Sequence, residues 1–193
     1  MGRARDYDEE AVLTGAMHAF RRSGYEGASI RDLERATGLK AGSIYNSFGD
    51  KAGLFDAAFA HYNRAVLQHR IDRFAPPERG VRGLRDMFLS LLQEPGGGKA
   101  GCLITNSAVE FGRGGQSHPS VQQGLYMLET VFLQRLKAAS ASGALRSGVD
   151  PSATATTLLA LYQGVLVLFR AGHATAALRR SINREFDNLE VMS

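Results

Sequence analysis

Apolar residues recur along this chain with the spacing of helices, and no segment sustains the alternation of a strand. Between Tyr7 and Ser23 they fall at Val12, Leu13, Ala16, Met17 and Phe20, which share one face of a helix. Asp8, Glu9 and Glu10 lie in its first turn, where the helix dipole favours negative charge; Arg21 and Arg22 lie at the other end, with Gly24 as a stop. Ser29 is a good N-cap, with Asp32 three residues on in place of the usual Glu or Gln. A short helix then runs to about Thr37 and ends at Gly38, and a second fits Ala41 to Phe48. Gly49-Asp50 breaks that one and caps a longer helix through Leu54, Phe55, Ala58, Phe59, Tyr62 and Val66, reaching about Arg73.

Ala75-Pro76-Pro77 is a joint. Beyond it the pattern predicts helices near 79–93, 102–112, 118–141, 151–172 and 175–189. They are separated by Pro95-Gly96-Gly97-Gly98, by Gly112-Arg113-Gly114-Gly115, by the stretch from Gly143 to Pro151, and by Gly172. The expectation is an all-α chain of about nine helices in two parts, 7–66 and 75–193. The helix at 151–172 carries Leu158, Leu159, Leu161, Tyr162, Val165, Leu166, Val167, Leu168 and Phe169, apolar nearly all round. In water it must be covered on most sides, either as a central core helix or in part by a second subunit.

Composition changes this picture little. With 193 residues, 44% of them hydrophobic, the chain can bury a packed core. No uninterrupted apolar run approaches the roughly 18 residues of a membrane span, and Met1-Gly2-Arg3-Ala4-Arg5-Asp6 does not read as a signal peptide. A single cysteine, Cys102, rules out an internal disulfide framework, and a reducing cytoplasm is expected. The formal charge of +4 permits nucleic-acid binding. Residues 1–51, however, hold eight Lys/Arg and eight Asp/Glu, so attraction to phosphate must come from one basic face.

Catalytic chemistry finds no foothold. His18, His61, His69, His118 and His173 form no metal-spacing pattern, although His61 and His69 can share a helix face. Gly96-Gly97-Gly98 lacks the Lys-Ser/Thr of a phosphate loop, and neither a Gly-x-Ser-x-Gly elbow nor a His-Glu-x-x-His is present. No enzyme activity, metal or cofactor is expected.

Residues 29–51 are the informative segment. Two short helices about a glycine turn make a helix-turn-helix, in which the first braces the DNA backbone and the second enters the major groove. Gly38 tolerates the turn, and Leu33, Leu39, Ile44 and Phe48 hold the pair against the flanking helices. Ala41, Gly42 and Ser43 open the second helix without bulk, so that its N-terminus can approach DNA. Backbone N–H groups there, with Ser29, Tyr45 and Lys51, suit phosphate. Arg31 and Asn46 complete the DNA-facing candidates; Tyr45 either contacts phosphate or only packs, and Arg31 and Arg35 either contact it or are solvated.

From Gly38 to Lys51 the sequence Gly-Leu-Lys-Ala-Gly-Ser-Ile-Tyr-Asn-Ser-Phe-Gly-Asp-Lys resembles the Gly-Val-Ser-x-Gly-Thr-Leu-Tyr-x-His-Phe-x-Ser-Lys signature of the TetR family of bacterial repressors. The resemblance covers about 8–62; beyond that it rests on length, helical layout and a Gly101-Cys102-Leu103 helix start seen in one subgroup. It implies base contact by Ser43 and phosphate contact by Tyr45 and Lys51. Lys40 replaces a common Ser and can reach backbone or a base edge, Ser47 replaces the usual His, and Glu34 stands where Ala is common.

The resemblance also implies an effector pocket and a homodimer in the C-terminal helices, the last two, at 151–172 and 175–189, pairing as a four-helix bundle. It further implies a palindromic double-stranded operator released by a small molecule, with the helix from Asp50 to Arg73 as lever. Cys102, Asn106 and Glu110 recur every four residues on one helix face. Such a polar stripe needs partners, either a ligand or neighbouring helices and water. Phe88, Leu92, Tyr126, Phe132 and Tyr162 are candidate apolar walls. Cys102, near a helix start, is either a reactive thiol that would make the chain an oxidant or electrophile sensor, or an inert buried side chain. A helical protein-interaction module without specific DNA binding is the other alternative.

Overall fold

The computed structural model describes residues 7–93, 101–112 and 118–191. The segment Met1 to Asp6 and the connections expected at Pro95–Gly98 and Arg113–Gly115 lie outside the described residues. Among those described, ten α-helical segments make up most of the regular structure, with short 3-10 and π stretches between some of them, and the only strand-like feature is an isolated bridge between Leu145 and Glu190. They are α1 (Glu9–Gly27), α2 (Ile30–Thr37), α3 (Ala41–Phe48), α4 (Lys51–Tyr62), α5 (His69–Phe74), α6 (Gly80–Ser90), α7 (Leu103–Gly112), α8 (Pro119–Ala141), α9 (Pro151–Arg170) and α10 (Thr175–Leu189). A π-helical stretch, Asn63–Gln68, joins α4 to α5, so the long helix expected from Asp50 is one helical run whose register changes midway.

Local chemistry explains several helix starts. Asp8 accepts from the N–H groups of Glu10 and Ala11, Asp50 from Gly53, and Asp150 from Ser152 beside Pro151 at the first helical position. One expected stop is a kink instead. Gly24 leaves helical geometry at φ 75°, ψ 176°, but α1 resumes for one more turn, through Gly27.

The chain divides into two compact units, one of residues 1–67 with 102–121, the other of 68–101 with 122–193. Helix α7 lies in the first unit. Its polar side chains bond to α1: Asn106 Nδ2 donates to the Arg21 carbonyl at 3.0 Å, and Glu110 accepts from the N–H groups of Tyr25 and Glu26.

The first unit is built on the apolar face of α1. Ala16 and Phe20 are fully buried with Leu33, Ile44, Leu54 and Phe59. Phe20 meets Phe55 edge-on at 5.0 Å, and Phe55 also meets Tyr25, Phe111 and His118. Buried His61 on α4 hydrogen-bonds Thr14 on α1 at 2.9 Å.

The second unit centres on Phe88, which packs on Phe132, Tyr162 and Phe186 from α8, α9 and α10 at 5.1–5.6 Å. Arg85 pairs with Asp187 and Glu190, both at 2.8 Å. On α9, Ala155, Leu158, Tyr162, Val165, Leu166 and Phe169 face this core, while Val167 and Leu168 are exposed. α9 is the one helix among the described residues long and apolar enough to cross a membrane by length and composition, with mean hydropathy 1.5 over an 18-residue window, 22% of it buried. It holds no uninterrupted apolar run of that length: its Leu, Val, Phe and Ala raise the window mean, while Thr156, Thr157, Gln163 and Gly164 break the run.

Candidate DNA-binding surface

The turn between α2 and α3 is built by short-range hydrogen bonds. Ser29 Oγ accepts from the Asp32 N–H at 3.2 Å while the Asp32 carboxylate accepts from the Ser29 N–H at 3.0 Å, a reciprocal capping box with Asp in the Glu position. The Ser29 hydroxyl also donates to Asp32, and the Arg35 guanidinium bonds the other carboxylate oxygen. Together these hold the Asp32 carboxyl at about 2, below its ordinary 3.8, the Ser29 hydroxyl contributing most, then the Ser29 N–H, then Arg35. Gly38 ends α2 in the left-handed region at φ 73°, its N–H returning to the Glu34 carbonyl at 2.9 Å. Thr37 braces the turn, donating to the Leu33 carbonyl at 2.7 Å and accepting from the Leu39 N–H at 3.2 Å.

Lys40, the N-cap of α3, supplies no side-chain cap. Glu34 supplies it from α2: its carboxylate accepts from the Ala41 N–H at 2.7 Å. The Glu in place of Ala is thus a helix cap across the turn. Leu33 and Ile44 are fully buried beneath the pair, with Leu39 and Phe48 half-buried. Gly15 sets how closely α1 and α2 approach, since a Cβ there would stand 1.9 Å from the Ala36 carbonyl oxygen.

This packing leaves one face of α3 bare. Lys40, Gly42, Ser43 and Asn46 are exposed, Tyr45 is 44% exposed, and Ala41 and Ser47 are half-buried. Arg31 on α2 is exposed, and it lines with Glu34, Arg35, Gly38, Leu39 and Lys40 a groove of about 390 Å³ beside the start of α3. Half-buried Lys51 places its Nζ 4.7 Å from the ring centroid of Tyr25. Of the sequence candidates, Ser29 commits its hydroxyl to Asp32, while Arg31, Lys40, Ser43, Tyr45 and Asn46 stand outward. Tyr25 escaped the sequence reading; an aromatic directly after a glycine break was its only signal.

The effector candidates fall in different units. Cys102, Asn106 and Glu110 belong to the first, Phe88, Tyr126 and Tyr162 to the second. Cys102 is buried, its Sγ 3.1 Å from the Tyr62 hydroxyl. Asn106 and Glu110 have the partners on α1 described above, so the polar stripe of α7 is met by protein groups. Phe88 and Tyr162 are core residues, and Tyr126 is 69% exposed. Among the described residues no cluster of three or more metal-ligating side chains occurs.

Residues 12–58 match the family model described as bacterial regulatory proteins, tetR family, and 77–184 match that of the tetracyclin repressor-like C-terminal domain. The HTH-type transcriptional regulator YezE of Bacillus subtilis (strain 168) is 34% identical over 113 residues, 57% of this chain and 58% of its own length. The HTH-type transcriptional repressor ComR of Escherichia coli (strain K12) is 29% identical over 175 residues, 89% of this chain and 83% of its own. Among solved structures, a cysteine-substituted CifR regulator complexed with 26-bp operator DNA aligns with a TM-score of 0.78 and 26% identity, over 96% of this chain and 98% of its own. A regulator from Chloroflexus aurantiacus aligns with a TM-score of 0.81 and 25% identity, over 95% of this chain and 96% of its own.

Proposed function

The chain belongs to the TetR family of bacterial transcriptional regulators, and from that premise we infer that it is a ligand-responsive DNA-binding repressor released from a palindromic operator by a small molecule. The observation that carries the reading is the bare start of α3, where Gly42, Ser43 and Asn46 stand exposed on a helix held from behind by Leu33 and Ile44. A helix so presented enters a major groove with its first turn against base edges. In this docking Ser43 and Asn46 face bases; Tyr45, Lys51, Lys40 and Arg31 face phosphates; Ala41 and Gly42 let the backbone approach closely. Ser29 acts through the helix start it caps.

A single recognition helix reads few base pairs, so the reading includes a homodimer that spaces two of them by one DNA turn, about 34–36 Å. The exposed apolar side chains of α9, Val167 and Leu168, suit a second copy. Effector binding falls to residues 75–193. A ligand contact at Asn106 or Glu110 would have to displace the α1 groups those side chains hold.

The test is selection of bound duplexes from a random DNA pool, followed by titration at several salt concentrations. The expected result is an enriched palindrome with half-sites one turn apart, and salt-sensitive binding that Tyr45→Ala and Lys51→Ala weaken on operator and random DNA alike. No enriched duplex, or unchanged affinity in both variants, overturns the docking.

A further inference from the structure

The end of α1 is held from outside the helix. At φ 75° Gly24 adopts a backbone that L side chains rarely take, and a Cβ there would stand 2.9 Å from Glu110 Oε2. The break leaves the N–H groups of the next turn without partners in the preceding one. Glu110 fills that role with both oxygens, Oε2 accepting from the Tyr25 N–H and Oε1 from the Glu26 N–H, each at 2.8 Å. Hydrogen bonds of this kind, to an ionised acceptor, are among the stronger ones. One helical turn earlier on α7, Asn106 donates to the Arg21 carbonyl at 3.0 Å and keeps α7 in register with α1.

The two residues so held are the two that Lys51 touches. Its Nζ lies 4.7 Å from the Tyr25 ring centroid and 3.5 Å from the Glu26 carbonyl oxygen. The Tyr25 ring is itself fixed against Phe55 and Phe111 at 5.2 and 5.5 Å. Burial, followed by the nearby charges of Glu26, Asp50 and Asp56, pushes the Tyr25 phenol above its ordinary value and keeps it neutral beneath the ammonium.

We propose that Glu110 is a positioning residue for DNA binding: by clamping the turn at 25–27 it fixes the Tyr25 ring and the Glu26 carbonyl that aim the Lys51 ammonium at a DNA phosphate. The proposal rests on the reading of Lys51 as a phosphate contact. It predicts the opposite of simple electrostatics. Removing a negative charge from a DNA-binding unit leaves its affinity for DNA unchanged or raises it, whereas loss of the clamp lowers it.

The experiment measures affinity of the full chain for a random-sequence duplex over a salt series, in wild type, Glu110→Gln, Lys51→Ala and the double variant. Lys51→Ala is expected to lower affinity and reduce the slope of log K against log salt by about one. Glu110→Gln should lower both in the same sense, and the double variant should bind no more weakly than Lys51→Ala. Tyr25→Phe, which keeps the ring, should retain wild-type affinity, and Tyr25→Leu should reproduce the reduced slope, a check that does not require Glu110→Gln to fold. A reduced slope in Lys51→Ala with full slope in Glu110→Gln or Tyr25→Leu overturns this proposal alone. A full slope in Lys51→Ala overturns the phosphate reading and this proposal with it.

Discussion

The carboxylate of Glu34 accepts the backbone N–H of Ala41 at 2.7 Å, so the recognition helix is capped from the helix before it. In the proposed docking that N–H is withheld from phosphate, and a negative charge sits in the groove lined by Arg31, Arg35 and Lys40. Glu34→Ala is expected to destabilise the fold by about 1 kcal/mol through loss of the cap. Glu34→Gln keeps an acceptor but removes the charge, and should bind random DNA more tightly at low salt. Thermal melts and anisotropy titrations separate the two effects.

Gly15→Ala is expected to be among the most damaging single-methyl changes in the first unit. The added Cβ would meet a backbone carbonyl oxygen at 1.9 Å, and neither helix backbone can yield without moving α2. Overpacking of this kind costs about 1–3 kcal/mol. DNA affinity should fall with it, because α2 carries the turn that orients α3.

The capping box predicts acid sensitivity in a definite window. The Asp32 carboxyl lies at about 2 in the folded chain against 3.8 ordinarily. Because the folded value is depressed, the carboxylate's contribution to stability is complete above pH 3.8 and is lost as pH falls toward 2. Asp32→Asn should therefore melt below the wild type at neutral pH, and the gap should close near pH 2. A gap that persists there would rule out the carboxylate as its cause.

Cys102 is 5% exposed, with its Sγ beside the Tyr62 hydroxyl. Native protein should therefore label slowly with a maleimide and rapidly once unfolded. Cys102→Ser, which keeps a hydrogen-bonding group at that position, should retain DNA affinity. Rapid native labelling accompanied by loss of DNA binding would restore the thiol-sensor alternative.

Helix positions and the turn at Gly38 were legible because their causes are local. Apolar spacing, Asp and Ser caps, and Gly38 act within a few residues of one another, and α2, α3, α7 and α10 lie within a residue or so of where their patterns predicted. The resemblance in 38–51 belongs to the same class, since a turn and its helix start are written in consecutive residues.

What only the tertiary structure decided are pairings across long sequence separations, whose partners no local pattern names. Gly24 reads as a stop in the sequence; a carboxylate 86 residues away makes it a kink, bonding Tyr25 and Glu26 just beyond it. The polar stripe of α7 left ligand and protein partners both open, and packing on α1 supplied protein ones. Sequence by itself determined that this chain is helical and where it presents a recognition helix. Packing decided which side chains remain outward and which are spent holding that helix in place, because a side chain's partner is set by spatial proximity and not by its distance along the chain.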